Sequence, residues 1–145
     1  MSEPSRVGGD GYVRAVPGPL TLHALEAAVR ASWGPDVCED PADLTLWSAA
    51  NPARGQCGPT ALVVNDLLGG DLCVAEVQLR DGSQRGFHWW NRLAGVDVDL
   101  TLEQFGPDEQ VQEARVLSRP TGPLKRGEAQ YLLLRSRVRT RLEGR

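Results

Sequence analysis

Cys57, His88 and Asp99 have the residue types and the chain order that acyl-transfer chemistry needs. A thiolate attacks a carbonyl carbon, an imidazole moves the protons, and a carboxylate holds the imidazole in one tautomer. Cys57 stands in Gln56-Cys57-Gly58-Pro59, directly ahead of the apolar stretch Ala61 to Leu68. Pro59 suits a first helical turn and Gly69-Gly70 suits a C-cap. The spacing therefore predicts a helix over Gly58 to Leu68, with a buried strand as the competing reading of so short an apolar run. A thiol at a helix start feels the partial positive charge of unpaired N–H groups, which favours thiolate. The same N–H groups can steady an oxyanion, and Gln56 is expected to add an amide donor there.

His88 lies in Gly86 to Leu93, which is aromatic-rich as strands tend to be. After the turn at Ala94-Gly95, Val96, Val98 and Leu100 alternate with Asp97 and Asp99, the pattern of a second strand. Asp97 and Asp99 share a face, so either carboxylate can orient the imidazole. Asp99, flanked by Val98 and Leu100, is the preferred one. Alternation also predicts that Trp90 shares the face of His88, while Trp89 packs away and Asn91 falls on the core side. Trp47, Asn51 and Trp90 are the expected substrate-binding residues, the tryptophans as apolar walls with a polar edge. The plainer reading makes Cys57 a small packed hydrophobe, His88 a hydrogen-bonded strand residue and Asp99 a turn residue.

These side chains need a scaffold. Leu22, Leu25, Ala28, Val29 and Trp33 recur at helical spacing between Pro19 and Gly34-Pro35. Residues 34 to 56 read as irregular, with Asp40 able to cap a short turn running to Trp47. Asp71 to Leu79 reads as a strand, Leu102 to Phe105 as a short helix, Val111 to Leu117 as a last strand and Glu128 to Leu142 as a terminal helix. This order gives an α+β domain in which a cysteine-bearing helix packs on a small antiparallel sheet. Residues 1–18, rich in glycine, proline and charge, read as a flexible arm, and 19–145 as one domain.

Composition narrows the function classes. The 145 residues carry a net charge of −3, with 41% hydrophobic and 24% charged residues, close to a globular average. Cys38, Cys57 and Cys73 make an odd count without C-x-x-C spacing, so neither a disulfide framework nor zinc is expected. No histidine–carboxylate cluster has metal spacing and no glycine-rich phosphate loop is present, so no cofactor is expected. No apolar run reaches the ~20 residues of a membrane span, and the expected location is the cytoplasm. From Arg115 onward the arginines and Lys125 face only Glu128 and Glu143. That tail reads as a solvated helix face, with nucleic-acid contact the weaker alternative.

Two dense blocks carry a family resemblance. They are Trp47, Asn51-Pro52-Ala53-Arg54-Gly55-Gln56-Cys57 with the helix that follows, and His88-Trp89-Trp90-Asn91 with Val98-Asp99-Leu100-Thr101 and Gln104-Phe105. Over roughly residues 20 to 140 the chain resembles the YunG family of small bacterial proteins. Its Cys–His–Asp order is similar to that of papain-like and transglutaminase-like cysteine enzymes. The resemblance implies a papain/transglutaminase-like core, with Cys57 as nucleophile, His88 as base and Asp99 as orienting acid. Trp89 stands where the family block has another aromatic. The function expected is a cysteine hydrolase or acyltransferase on a peptide or a small amide or thioester. A non-catalytic binding domain on the same fold is the alternative.

Overall fold

The computed structural model describes residues 19–144, so the arm expected over 1–18 lies outside them. Thr21 starts the first helix, its hydroxyl accepting the N–H of Ala24 at 3.0 Å. Helix α1 (Leu22–Ser32) then buries Leu25, Ala28 and Val29. The stretch read as irregular holds a 3-10 turn at Pro35–Val37 and helix α2 (Pro41–Leu46), capped by Asp40. Helix α3 (Cys57–Leu68) ends at Gly69, whose φ of 73° suits a residue without a Cβ. Helix α4 (Glu128–Glu143) packs on α1 and α3. Leu25, Val29, Val63, Val64, Leu134 and Val138 form the interior between these three helices. Burying each such side chain is worth about 2 kcal/mol, which is why the helical pattern prevails here over local preference.

The sheet is antiparallel, with strands β1 (Asp71–Leu79), β2 (Gln84–Leu93), β3 (Val96–Val98), β4 (Glu109–Val111) and β5 (Arg115–Leu117). Its order is β3-β2-β1-β4, with β5 also on β1. The expected strand over Val111 to Leu117 is thus broken in two. Val111 pairs with Val77 and Arg115 with Val74, so three residues stand opposite two and the ladder is interrupted. Gln112 alone bridges the gap, donating to Glu76 O at 2.8 Å. Ala94 and Gly95, both at positive φ, close the β2–β3 hairpin with the twist a two-residue turn requires.

β2 carries a bulge that the sequence reading missed. Glu76 pairs with Phe87 and Gln78 with Gln84, so Arg85 and Gly86 together oppose Val77, and Gly86 takes φ 70°. Beyond the bulge, side chains alternate as expected. Trp89 joins the helix-side core and Asn91 donates to Ala61 O of α3 at 2.9 Å. Trp90 packs on the other face with Cys73 and Ala75. Among the described residues no helix is long and apolar enough to cross a membrane.

Candidate active site

Cys57 is the first residue of α3, and a stiff loop delivers it there. Trp47 Nε1 donates to Pro52 O at 3.0 Å, and Asn51 Nδ2 to Gln104 O at 3.0 Å. Arg54 is buried between two carboxylates, Nε meeting Asp43 at 3.0 Å and the terminal nitrogens meeting Glu109 at 2.7 and 2.9 Å. Gly55 sits at φ 76°, where an added Cβ would lie 2.6 Å from Cys38 Sγ. Gln56 is fully buried, with Nε2 donating to Gly34 O at 2.9 Å and Arg54 O at 3.0 Å. Thr60 N bonds Gln56 O and Pro59 has no N–H. Among the described residues the N–H groups of Cys57 and Gly58 therefore remain as the open donors of the first turn.

His88 is completely buried, and its Nε2 lies 2.6 Å from Asp99 Oδ2. Asp99 is itself steadied by the N–H of Thr101 at 3.2 Å. Trp90 stacks on the imidazole at 5.2 Å and Phe105 meets it edge-on at 4.8 Å. The other ring nitrogen, Nδ1, is buried without a hydrogen-bond partner of normal geometry among the described residues. Burial works against protonation of the ring. The hydrogen bond with Asp99, and then the neighbouring Cys57, outweigh it and raise the pKa to about 9. Asp99 engages only Nε2, so Nδ1 is the ring nitrogen it leaves open. The Cys57 thiol contacts Phe87 O at 3.9 Å.

Cys57 is partly exposed and opens onto a cleft of about 500 Å³. One wall is the Phe87 and Trp89 face of β2; another is the segment carrying Pro120, Leu124 and Arg126. Tyr131 of α4 and Leu62 of α3 contribute to the lining, and Asp40, Asp43, Arg54, Arg85 and Glu109 give it charge. An added Cβ on Gly58 would meet nothing within 4 Å, so there is room for a substrate carbonyl beside the open N–H groups. The other two cysteines are buried. Burial pushes the Cys38 thiol up to about 11, with nearby Asp43 adding to the effect, and burial raises Cys73 as well.

A family model described as YunG protein matches residues 21–143. The chain belongs to the YunG family. The protein named "Uncharacterized protein YunG" from Bacillus subtilis (strain 168) is 36% identical over 89 residues, which cover 61% of this chain and 71% of that one. No solved structure matches. The chain folds as α+β, with helices on an antiparallel sheet, and no solved structure supports a papain/transglutaminase-like core.

In this YunG-family chain, four of the residues singled out from sequence sit elsewhere than expected. Both amide hydrogens of Gln56 are spent on backbone carbonyls, so its side chain braces the helix start instead of facing an oxyanion. Trp47 and Asn51 bind the loop to itself and to Gln104, and neither lines the cleft. Trp90 shares the face of His88 as alternation predicts, but the cleft opens on the opposite face, where Trp89 stands. The reason is where α3 lies: its first residue contacts Phe87 O, and Phe87 and Trp89 line the cleft with it while His88 does not. Phe87, Trp89, Arg85 and Tyr131 were the cleft residues missed. The parity that put Asn91 on the core side already assigns Phe87 and Trp89 to that face.

Proposed function

We propose that this chain is a cysteine-dependent acyltransferase or hydrolase acting through Cys57, His88 and Asp99. The Cys57 proton rests on His88 Nδ1, giving an imidazolium beside a thiolate, and the sulfur attacks a carbonyl carbon. The oxyanion lies against the N–H groups of Cys57 and Gly58. The carbonyl's bond to its nitrogen, oxygen or sulfur leaving group breaks as His88 returns the proton to that group, leaving an acyl-thioester. Water or an amine then attacks the thioester, gives its proton to His88, and the thiolate is restored. Asp99 keeps the Nε2 proton in place so that Nδ1 is the basic nitrogen. The substrate class is a peptide or a small amide or thioester. In its order, a cysteine opening a helix, His on a following strand and Asp directly after the next one, the chain parallels papain-like and transglutaminase-like enzymes.

The observation that carries this reading is the imidazole held at 2.6 Å by Asp99 on one nitrogen and left open on the other, next to Cys57. A non-catalytic binding domain is the second reading, favoured by the complete burial of His88 away from the cleft lining. Iodoacetamide labelling of each cysteine across pH, in wild type and His88→Ala, separates the two. Catalysis requires Cys57 to label fast well below the ~8.5 of a free thiol and to lose that advantage without His88. Labelling at the pace of a free thiol, unchanged in His88→Ala, would leave the binding domain.

A further inference from the structure

Arg85 stands out among the charged groups of the cleft because, among the described residues, it lacks a carboxylate of its own. Glu39 is held by Arg126 at 2.9 Å, and Asp40 caps the N–H of Ala42. Asp43 and Glu109 are both engaged by Arg54, and Glu109 Oε1 also accepts the N–H of Gly106 at 3.0 Å. Among the described residues Arg85 has a single ion-pair contact, Nε to Glu109 Oε2 at 3.5 Å, and that oxygen already accepts from Arg54 at 2.9 Å. A guanidinium carries five N–H donors in a planar fork suited to a carboxylate. Its side chain is about one-third exposed, open enough to be reached and sheltered enough to be felt.

Its position matches such a role. Arg85 occupies the bulge of β2, two residues before Phe87, whose carbonyl touches the Cys57 thiol. Arg85 and Glu109 also line a second groove of about 470 Å³, formed with Leu46, Leu79 and Arg80. The cleft and the groove therefore meet at Arg85. The cleft lining holds four carboxylates against three guanidinium groups, so no net field draws anions in. Recognition has to come from direct contact.

We propose that Arg85 is a substrate-recognition residue that takes a carboxylate on the acyl donor, on a chain running from Cys57 toward the second groove. The proposal rests on the acyl-transfer reading of Cys57 and supplies its substrate class. The carboxylate is either a chain terminus or an acidic side chain; the fork binds both alike.

Matched alkylating probes test this without an identified substrate. N-Iodoacetylglycine is compared with its carboxamide for a chain-terminal carboxylate, and N-iodoacetylaspartamide with N-iodoacetylasparaginamide for a side-chain one. In each, sulfur displaces iodide and a stable thioether forms. The readout is the rate ratio of charged to neutral probe at Cys57, relative to that ratio for glutathione. At least one pair is expected to favour the charged probe, and Arg85→Gln to reduce that ratio roughly tenfold, the scale of a charge-assisted bidentate bond. The pair that responds tells terminus from side chain. No preference over glutathione in either pair for the wild-type protein, or a preference that survives Arg85→Gln, overturns the proposal. Slow labelling by every probe, with no dependence on His88, instead overturns the acyl-transfer reading beneath it.

Discussion

His88 is acted on from two sides, by Asp99 through a hydrogen bond and by Cys57 through the thiol, and its protonation is where the site is most exposed to test. With a pKa of about 9 in the fold against the ordinary 6.5, the protonated ring stabilises the folded state. That contribution is fully present below about pH 6.5 and is lost as pH rises through about 9. Asp99→Asn removes the carboxylate and is expected to lower the His88 pKa by about one to three units, read from imidazole resonances in an NMR titration. The pH window over which stability declines should move down with it. An unchanged titration in the variant would mean that Asp99 does not govern the ring. The kinetic counterpart is a loss of turnover of about a hundredfold or more with folding retained, since a tautomer held wrongly cannot accept the thiol proton.

At the level of elements, the start of α3 is set by backbone geometry more than by helix preference. Gly55 must take φ 76° while Cys38 and Asp43 crowd the place a Cβ would fill. Gly55→Ala is expected to cost about 2 kcal/mol or more, from left-handed strain and overlap together, measured as a shift in urea midpoint. Because the loop aims the thiol, the same variant should also slow Cys57 labelling relative to Cys38 and Cys73 in the denatured chain. An alanine tolerated with no change in midpoint would show that the loop is softer than its contacts indicate. The bulge at Arg85-Gly86 acts in a similar way on β2, separating the placement of Arg85 from the regular alternation of Phe87, His88 and Trp89.

Across the whole molecule, Arg54 ties together parts far apart in sequence: the cysteine loop, α2 through Asp43, and β4 through Glu109. The guanidinium is nearly inaccessible and Glu109 is only 9% exposed, so removing the cation strands buried charge. Arg54→Ala is expected to destabilise the protein by about 3 to 5 kcal/mol in urea denaturation, and replacing Arg54 and Glu109 together by methionine should recover much of it. A loss below about 1 kcal/mol would place the pair among weak surface bridges. The pair also links the cleft to the stability of the sheet, since Glu109 begins β4 and Arg54 precedes Cys57 by three residues.

How much of this was legible beforehand follows from the range of the forces involved. Periodicity and capping are local, so α1, the Asp40-capped turn, α3 and the β2–β3 hairpin could be read from spacing, turn residues and glycine stops. The Cys57, His88 and Asp99 candidates came from residue type and order, because a helix followed by two strands constrains which side chains can meet. The face of β2 that forms the cleft was not legible, since alternation says which residues share a face and only the packing of α3 says which face is covered. Gln56 misled for a similar reason. Its amide type suits an oxyanion donor, but the tertiary structure buries it against Gly34 O, and a buried amide binds the nearest carbonyls. By itself the sequence determined the elements and the chemical candidates; the tertiary structure decided what fronts the cleft, because burial and long-range hydrogen bonds choose among side chains that local pattern leaves equivalent.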